Sequence, residues 1–385
     1  MKKSLLALAA MGAFAGAAHA QSSVTVSGVL EVGYTSKDIR DFSTASTNTA
    51  TTNTKQSAFT SGHVTTPQFT FSGTEDLGGG LSAGFFIQEE FDNATGTVDT
   101  SGSSLKLSQT FITLGSKEFG SINLGNKNHM TRDAGGVYRF FGDIGRLTSN
   151  FNLTNNFNNT VEYVSPRISG FAISAGYGSA NKTTTTGTLA GTHTNVTPAS
   201  LTTFGINGTV GKGIIAATHE TNAIAATAAG VEQAILTQIT LGGNYDFGMA
   251  KIGLVYADQA LKQAGGAEGG KRTAMGVHLA APVTKAVTLG GSFTSYTVKP
   301  AAGGEEPRAE IFTVAAQYAF SKRTSVYGSY QMLRNNGAGS VLSGLPANAS
   351  SINGSNGAGS TRGLGVVETI GQTSNGIGLS MVHTF

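Results

Sequence analysis

Apolar residues recur at every second position through most of this chain. In "VTVSGVLEVGY", Val24, Val26, Leu30, Val32 and Tyr34 fall on one face, and Thr25, Ser27 and Glu31 on the other. "QFTFSG" sets Phe69 and Phe71 against Gln68, Thr70 and Ser72, and "SINLG" sets Ile122 and Leu124 against Ser121 and Asn123. "FAISAGY" places Phe171, Ile173, Ala175 and Tyr177 opposite Ala172, Ser174 and Gly176. The stretches "KIGLVY", "AMGVHLA", "VTLGGSF", "IFTVAAQYAF" and "GIGLSMVHTF" repeat the pattern. A period of two predicts β-strands, and no amphipathic helix of ordinary length interrupts them.

The two faces differ in an unusual way. The polar face holds Ser, Thr, Gly, Asn and Gln, with few charges, while the other carries Phe, Tyr, Leu and Ile. A soluble sandwich would bury its apolar face and clothe the opposite one in Lys and Glu. The observed pattern predicts a transmembrane barrel with lipid outside and water inside. Closure is required because only a closed barrel lets strands cross a bilayer without unpaired backbone groups.

The spacing of the connections sharpens this reading. Short ones fall at 74–80, 116–120, 165–170, 211–213, 246–250, 284–286 and 321–323. Long ones fall at about 36–61, 92–103, 130–156, 181–200, 222–232, 261–271, 299–309 and 334–374. Long loops outside and short periplasmic turns are the outer-membrane rule. Runs between these breaks number 16, an even count that returns both termini to the periplasmic side. The fold class expected is therefore all-β, a 16-stranded antiparallel transmembrane barrel. The pair Gly211 and Gly213 in "GTVGKGIIAATHE" reads as a tight hairpin rather than a phosphate loop, because no G-K-[ST] ending follows.

Composition narrows the function. Only 12% of the 385 residues are charged, against roughly 25% in soluble domains. Mean hydropathy is −0.02, and no apolar run has the ~20 residues a spanning helix needs. "MKKSLLALAAMGAFAGAAHA" has a basic start, a short apolar middle and an A-x-A end, which predicts a signal peptide over 1–20 and a barrel domain over 21–385. Removing Lys2 and Lys3 leaves 23 basic residues (25 − 2) against 22 acidic ones. A net charge of +1 with no basic cluster excludes a nucleic-acid partner. The chain contains no cysteine, so no disulfide or thiolate metal site is expected. The seven His form no H-E-x-x-H pattern, so no catalytic residue, metal site or cofactor is expected. A barrel-embedded lipase would need a Ser/His pair on the outer wall; His219 and His278 have no readable serine partner and read as membrane-lining polar residues.

The chain ends in strand register on Phe385, an aromatic suited to the membrane interface. This terminal residue resembles the assembly signal of bacterial outer-membrane proteins. "GTEDLGGGLSAGF", "ITLGSKEFGSINLG", "NTVEYVSPRISGFAISAGY", "YAFSKRTSVYGSY" and "IGLSMVHTF" resemble the 16-stranded general porins of beta-proteobacteria, including neisserial types. The resemblance runs along essentially the whole mature chain. It implies a homotrimer in contact with outer-membrane lipid and lipopolysaccharide, with one water-filled pore per subunit for small hydrophilic solutes and ions. It also implies that the third long loop, 130–156, folds into the pore. That segment carries Arg132, Asp133, Arg139, Asp143 and Arg146 beside Tyr138, Phe140 and Phe141, the densest mixed charge in the chain. Lys127 faces the pore by alternation, as do Glu31 and Glu162. Lys127, Arg132, Asp133, Arg139, Asp143 and Arg146 form the expected constriction, because charges lining a narrow lumen select ions by sign.

The chain departs from the family where basic residues usually face the pore. Gln68 and Ser72 occupy such positions on the second strand, the segment resembling L-G-R-Q has Asn126 and Lys127 in its last two places, and Val382 stands where a base is common. Weak selectivity, slightly anionic, is the resulting expectation. Loops at 36–61, 181–200 and 334–374 are rich in Thr, Ser, Asn, Ala and Gly, which also suits contact surfaces for adhesion or phage.

Overall fold

The computed structural model describes residues 23–42, 50–98, 107–128, 130, 137, 139–144, 156–179, 198–224, 234–263, 266–301, 306, 308–336 and 373–385. The expected signal peptide lies outside these residues. The strands, in chain order, are β1 (Ser23–Phe42), β2 (Ala50–Thr60), β3 (Gln68–Gly78), β4 (Leu81–Asp92), β5 (Thr97–Val98) and β6 (Leu107–Ser116). They continue as β7 (Gly120–Asn128), β8 (Asn156–Val164), β9 (Phe171–Ser179), β10 (Pro198–Val210), β11 (Gly213–Ile224) and β12 (Ala234–Asp246). The last six are β13 (Lys251–Lys262), β14 (Glu268–Pro282), β15 (Val287–Lys299), β16 (Arg308–Ala319), β17 (Thr324–Asn336) and β18 (Thr373–Thr384).

Two of these are not independent barrel strands. β2 and β3 pair with successive parts of β1, at Gly33↔Thr60 and Val29↔Gln68, so they are one staircase broken at residues 61–67. β5 is a two-residue rung on the end of β4. The remaining pairings run antiparallel between sequence neighbours, and β1 closes on β18 from Val29↔Thr384 to Arg40↔Thr373. The result is a closed 16-stranded antiparallel barrel, as the alternation predicts.

The first connection corrects the sequence reading. Residues 36–61 are not a long loop: β1 extends to Phe42 and β2 fills 50–60. The Ser and Thr of this stretch favour loops by composition, but Thr also sits well in a pleated surface, and pairing of β2 with β1 overrides the local signal. The actual interruption comes later, at "SGHVTTP" (61–67), where Gly62 has a φ of 80° and Pro67 has no N–H to give to a ladder.

Faces follow the period. Outward Phe71, Ile112, Ile173, Leu254, Phe312 and Leu379 are exposed, as a lipid-facing surface must be. Inward Glu31, Gln88, Asn123, Glu162, Gln238 and Gln259 are buried. The turn end carries paired aromatics, Tyr245 with Phe247 at 4.8 Å and Tyr318 with Phe320 at 4.9 Å, which suit the membrane interface. In the β3–β4 turn, Gly78, Gly79 and Gly80 all have positive φ, a conformation that side-chain-bearing residues adopt only at a cost. In the β12–β13 turn the Gly248 amide donates to Asp246 at 2.8 Å and holds that carboxyl below its usual range.

Phe385 completes the seam. Its amide donates to the Gly28 carbonyl at 3.0 Å, and the Gly28 amide returns the bond at 3.1 Å. The ring lies so close over Gly28 that a Cβ there would collide with it. One histidine expectation is corrected: His278 pairs with Gly253 and Ser292 on the inward face and is buried, so it does not line the membrane. His219 is exposed and sits opposite Phe204 and Ile239 on the outer wall.

Candidate functional site

The inward face presents two different walls. On β6–β8 it is a polar relay. The Thr113 hydroxyl donates to Asn123 Oδ1 at 2.7 Å, and the Asn123 amide donates to Glu162 Oε2 at 2.7 Å. The Lys127 ammonium reaches the same carboxylate at 3.0 Å and stands 5.8 Å from the centre of the Phe111 ring. Phe111 is stacked on Phe86 of β4, with centroids 5.1 Å apart and planes at 17°. Alternation alone predicts Lys127 and Glu162 inward; the register β7–β8 brings them together across a bulge between Gly125 and Lys127. Lys127 is therefore a neutralised cation rather than a free one.

The opposite wall carries a dry patch. Val29 of β1, Ala280 of β14, Ala315 of β16 and Val382 of β18 form one buried apolar cluster with Val64, Phe141 and Ile144. Phe141 and Ile144 are 2% and 1% exposed. Because the wall residues point inward, the tip 139–144 of the third loop lies inside the barrel. Burying these two side chains contributes about 1.5–3 kcal/mol each. The loop's other described residues trace a path along the wall. Met130 receives hydrogen bonds from Ser174 of β9 at 3.1 Å and Thr203 of β10 at 3.4 Å. The Val137 carbonyl is bound by the Asn244 amide of β12, and Phe140 lies 6.1 Å from His278 of β14.

At the tip, Arg139 and Asp143 form an ion pair one helical-turn spacing apart. Both retain some exposure, 22% and 15% for their side chains. Arg132, Asp133, Tyr138 and Arg146 lie outside the described residues. Of the six expected constriction residues, the structure thus describes Lys127, Arg139 and Asp143. It sets the first on the relay wall and the other two on the inward loop, each beside an opposite charge.

The sequence reading misses residues 61–67. This segment leaves the barrel wall and turns inward: His63 is fully buried and Val64 is 3% exposed. Glu31 of β1 accepts the amides of His63 and Val64, both at 3.1 Å, through Oε1, and that of Thr65 at 3.2 Å through Oε2. Successive backbone N–H groups around one anion form a nest. The only available signals are an inward acid at Glu31 and the Gly62/Pro67 bracket. Val382, a departure from the resemblance, is explained by the same packing, since a basic side chain there would enter the dry cluster.

A model of Gram-negative porins matches residues 7–338. The chain belongs to the Gram-negative porin family. The porin is 31% identical over 373 residues to an outer membrane porin protein of Bordetella pertussis, covering 86% of this chain and 94% of that one. It is 30% identical over 356 residues to outer membrane porin protein 32 of Delftia acidovorans, covering 89% and 92%. Its fold is similar to that of an anion-selective porin from Comamonas acidovorans, with a TM-score of 0.73 and 22% identity over 95% of this chain and all of that one. These relatives are channel proteins of the outer membrane, and this porin is one as well.

Proposed function

We propose that the porin is a general diffusion pore for small hydrophilic solutes and ions, with weak charge selectivity set by a mixed-charge constriction. The observation that carries this reading is the third-loop tip seated inside the lumen with Arg139 beside Asp143. Lys127 and Glu162 form a second neutralised pair on the wall. Paired charges leave a modest net field, and water in the channel screens it over about 10 Å at 0.1 M salt. The sign proposed is slightly anionic, carried by Arg132, Arg139 and Arg146 over Asp133 and Asp143. The similarity to an anion-selective porin supports that sign. The proposal includes a homotrimer in outer-membrane lipid and lipopolysaccharide, export by the leader 1–20, and support of assembly by Phe385.

The test is planar-bilayer recording of the purified protein in asymmetric KCl. Triplet conductance steps and a small anion-favouring reversal potential are expected, with the potential shrinking as salt rises. A strongly cation-selective channel would overturn the charge assignment.

A further inference from the structure

Resting on the reading of the third loop as the constriction, we infer that Glu31 is a positioning residue for the pore. It holds residues 61–67 inward, and these form the seat that keeps the third-loop tip in place.

The contacts form a chain. Glu31 is on the barrel wall, paired with Val382 across the β1–β18 seam. Its carboxylate gathers three consecutive amides of the inward segment, at 3.1, 3.1 and 3.2 Å, and bonds to a charged acceptor are stronger than neutral ones. The segment is anchored at a second point, where His63 Nε2 meets the Ser329 hydroxyl of β17 at 2.8 Å. The wall is notched to admit it: a Cβ on Gly378 of β18 would strike the His63 ring.

From this seat the contact passes to the loop. The Asp143 amide donates to the Val64 carbonyl at 2.6 Å. Gly142, with φ of 61°, lies against the same carbonyl so closely that a Cβ would collide with it. Val64 joins Phe141 and Ile144 in the dry cluster, and a second notch receives Phe141, since a Cβ on Gly290 would come within 2.8 Å of its ring. Asp143, the anionic half of the tip's ion pair, is thus fixed through Val64 to Glu31. The broken second strand is an element of the pore and not an irregularity of the wall. Removing the Glu31 carboxylate leaves three inward amides without their acceptor, and the segment and loop tip lose a shared anchor.

The absence of cysteine from the chain permits a direct readout. Ile144→Cys places a thiol at the buried tip, and a water-soluble maleimide measures its accessibility in the assembled channel. In the otherwise unaltered protein the thiol is expected to react slowly. With Glu31→Ala added, labelling should accelerate about tenfold or more through local opening, and single-channel conductance should rise on the order of 1.5-fold with added noise. Glu31→Gln should fall between. Should Glu31→Ala fail to assemble, Gly142→Ala tests the same seat from the loop side without altering a barrel strand. Equal labelling rates with and without the seat substitution would overturn the inference. Faster labelling with unchanged conductance and reversal potential would leave the latch standing and overturn the constriction reading. Unchanged labelling alongside an altered reversal potential in Arg139→Ala would overturn the latch alone.

Discussion

The two inner walls of this barrel obey the same alternation and reach opposite results. On β6–β8 the inward positions are Thr113, Asn123, Lys127 and Glu162, joined in one hydrogen-bonded relay. On β14, β16, β18 and β1 they include a patch of Ala280, Ala315, Val382 and Val29, packed dry against Phe141 and Ile144, beside polar inward neighbours such as His278, Thr313, Ser380 and Glu31. A polar inward wall faces solvent and solute. An apolar inward wall in a water-filled barrel requires something to cover it, because exposed apolar area there would cost about 25 cal/mol per Å². An apolar patch on the lumen face therefore reports an inward loop seated upon it. The small side chains matter as much as the apolar ones, since Gly290 and Gly378 leave room for Phe141 and His63.

The comparison can be broken hardest at the seam beside the dry wall. Deleting Phe385 removes two backbone bonds to Gly28 and the ring covering it. At roughly 1 kcal/mol per hydrogen bond, heat-resistant oligomer in the outer membrane should fall about fivefold or more, as read on unheated gels. Normal levels would remove the assembly role from this residue. Conduction by the channels that do assemble should be unchanged.

Val382→Arg attacks the dry wall itself. The long side chain would enter the space filled by Val64, Phe141 and Ile144 and would reach Glu31, its cross-strand neighbour, competing for the carboxylate that holds residues 61–67, so the loop tip should lift rather than accommodate it. Single-channel conductance should rise on the order of 1.5-fold, with the barrel intact by circular dichroism. A channel with wild-type conductance would mean that the tip does not limit flow.

A smaller effect is expected from the polar wall. Glu162→Gln keeps the shape of the relay and removes the charge that neutralises Lys127. Reversal potential should move toward anions, with conductance little changed. Raising KCl from 0.1 M to 1 M shortens the screening length from about 10 Å to about 3 Å and should erase most of the shift. A shift toward cations would contradict the pairing.

The sequence made the strand faces, the short turns and the barrel class legible, because each rests on local period or on a turn residue such as Gly211. The third loop stood out as the candidate site by its charge density and, through the family resemblance, by its place after the fifth barrel strand. The partners of its residues were not legible. Lys127 and Glu162 are 35 positions apart and meet only through the β7–β8 register and its bulge. Glu31 lies 32 to 34 positions from the amides it gathers, and a nest of backbone N–H groups has no side-chain signature. "SGHVTTP" carries neither strand nor helix period, so its inward course was hidden behind the apparent loop at 36–61. Val382 read as a missing charge, and only the packing around it gives that absence a physical reason.

The proposed constriction places the third-loop tip in the ion path with its charges nearly balanced. Reversal potential in asymmetric KCl, measured before and after Arg139→Ala combined with Arg146→Ala, tests it most directly. The wild-type channel should favour anions slightly. The double variant, with Asp143 left without its Arg139 partner, should cross to weak cation preference with a measurable change in single-channel conductance. An unchanged potential and an unchanged conductance would put these side chains outside the path and contradict the claim.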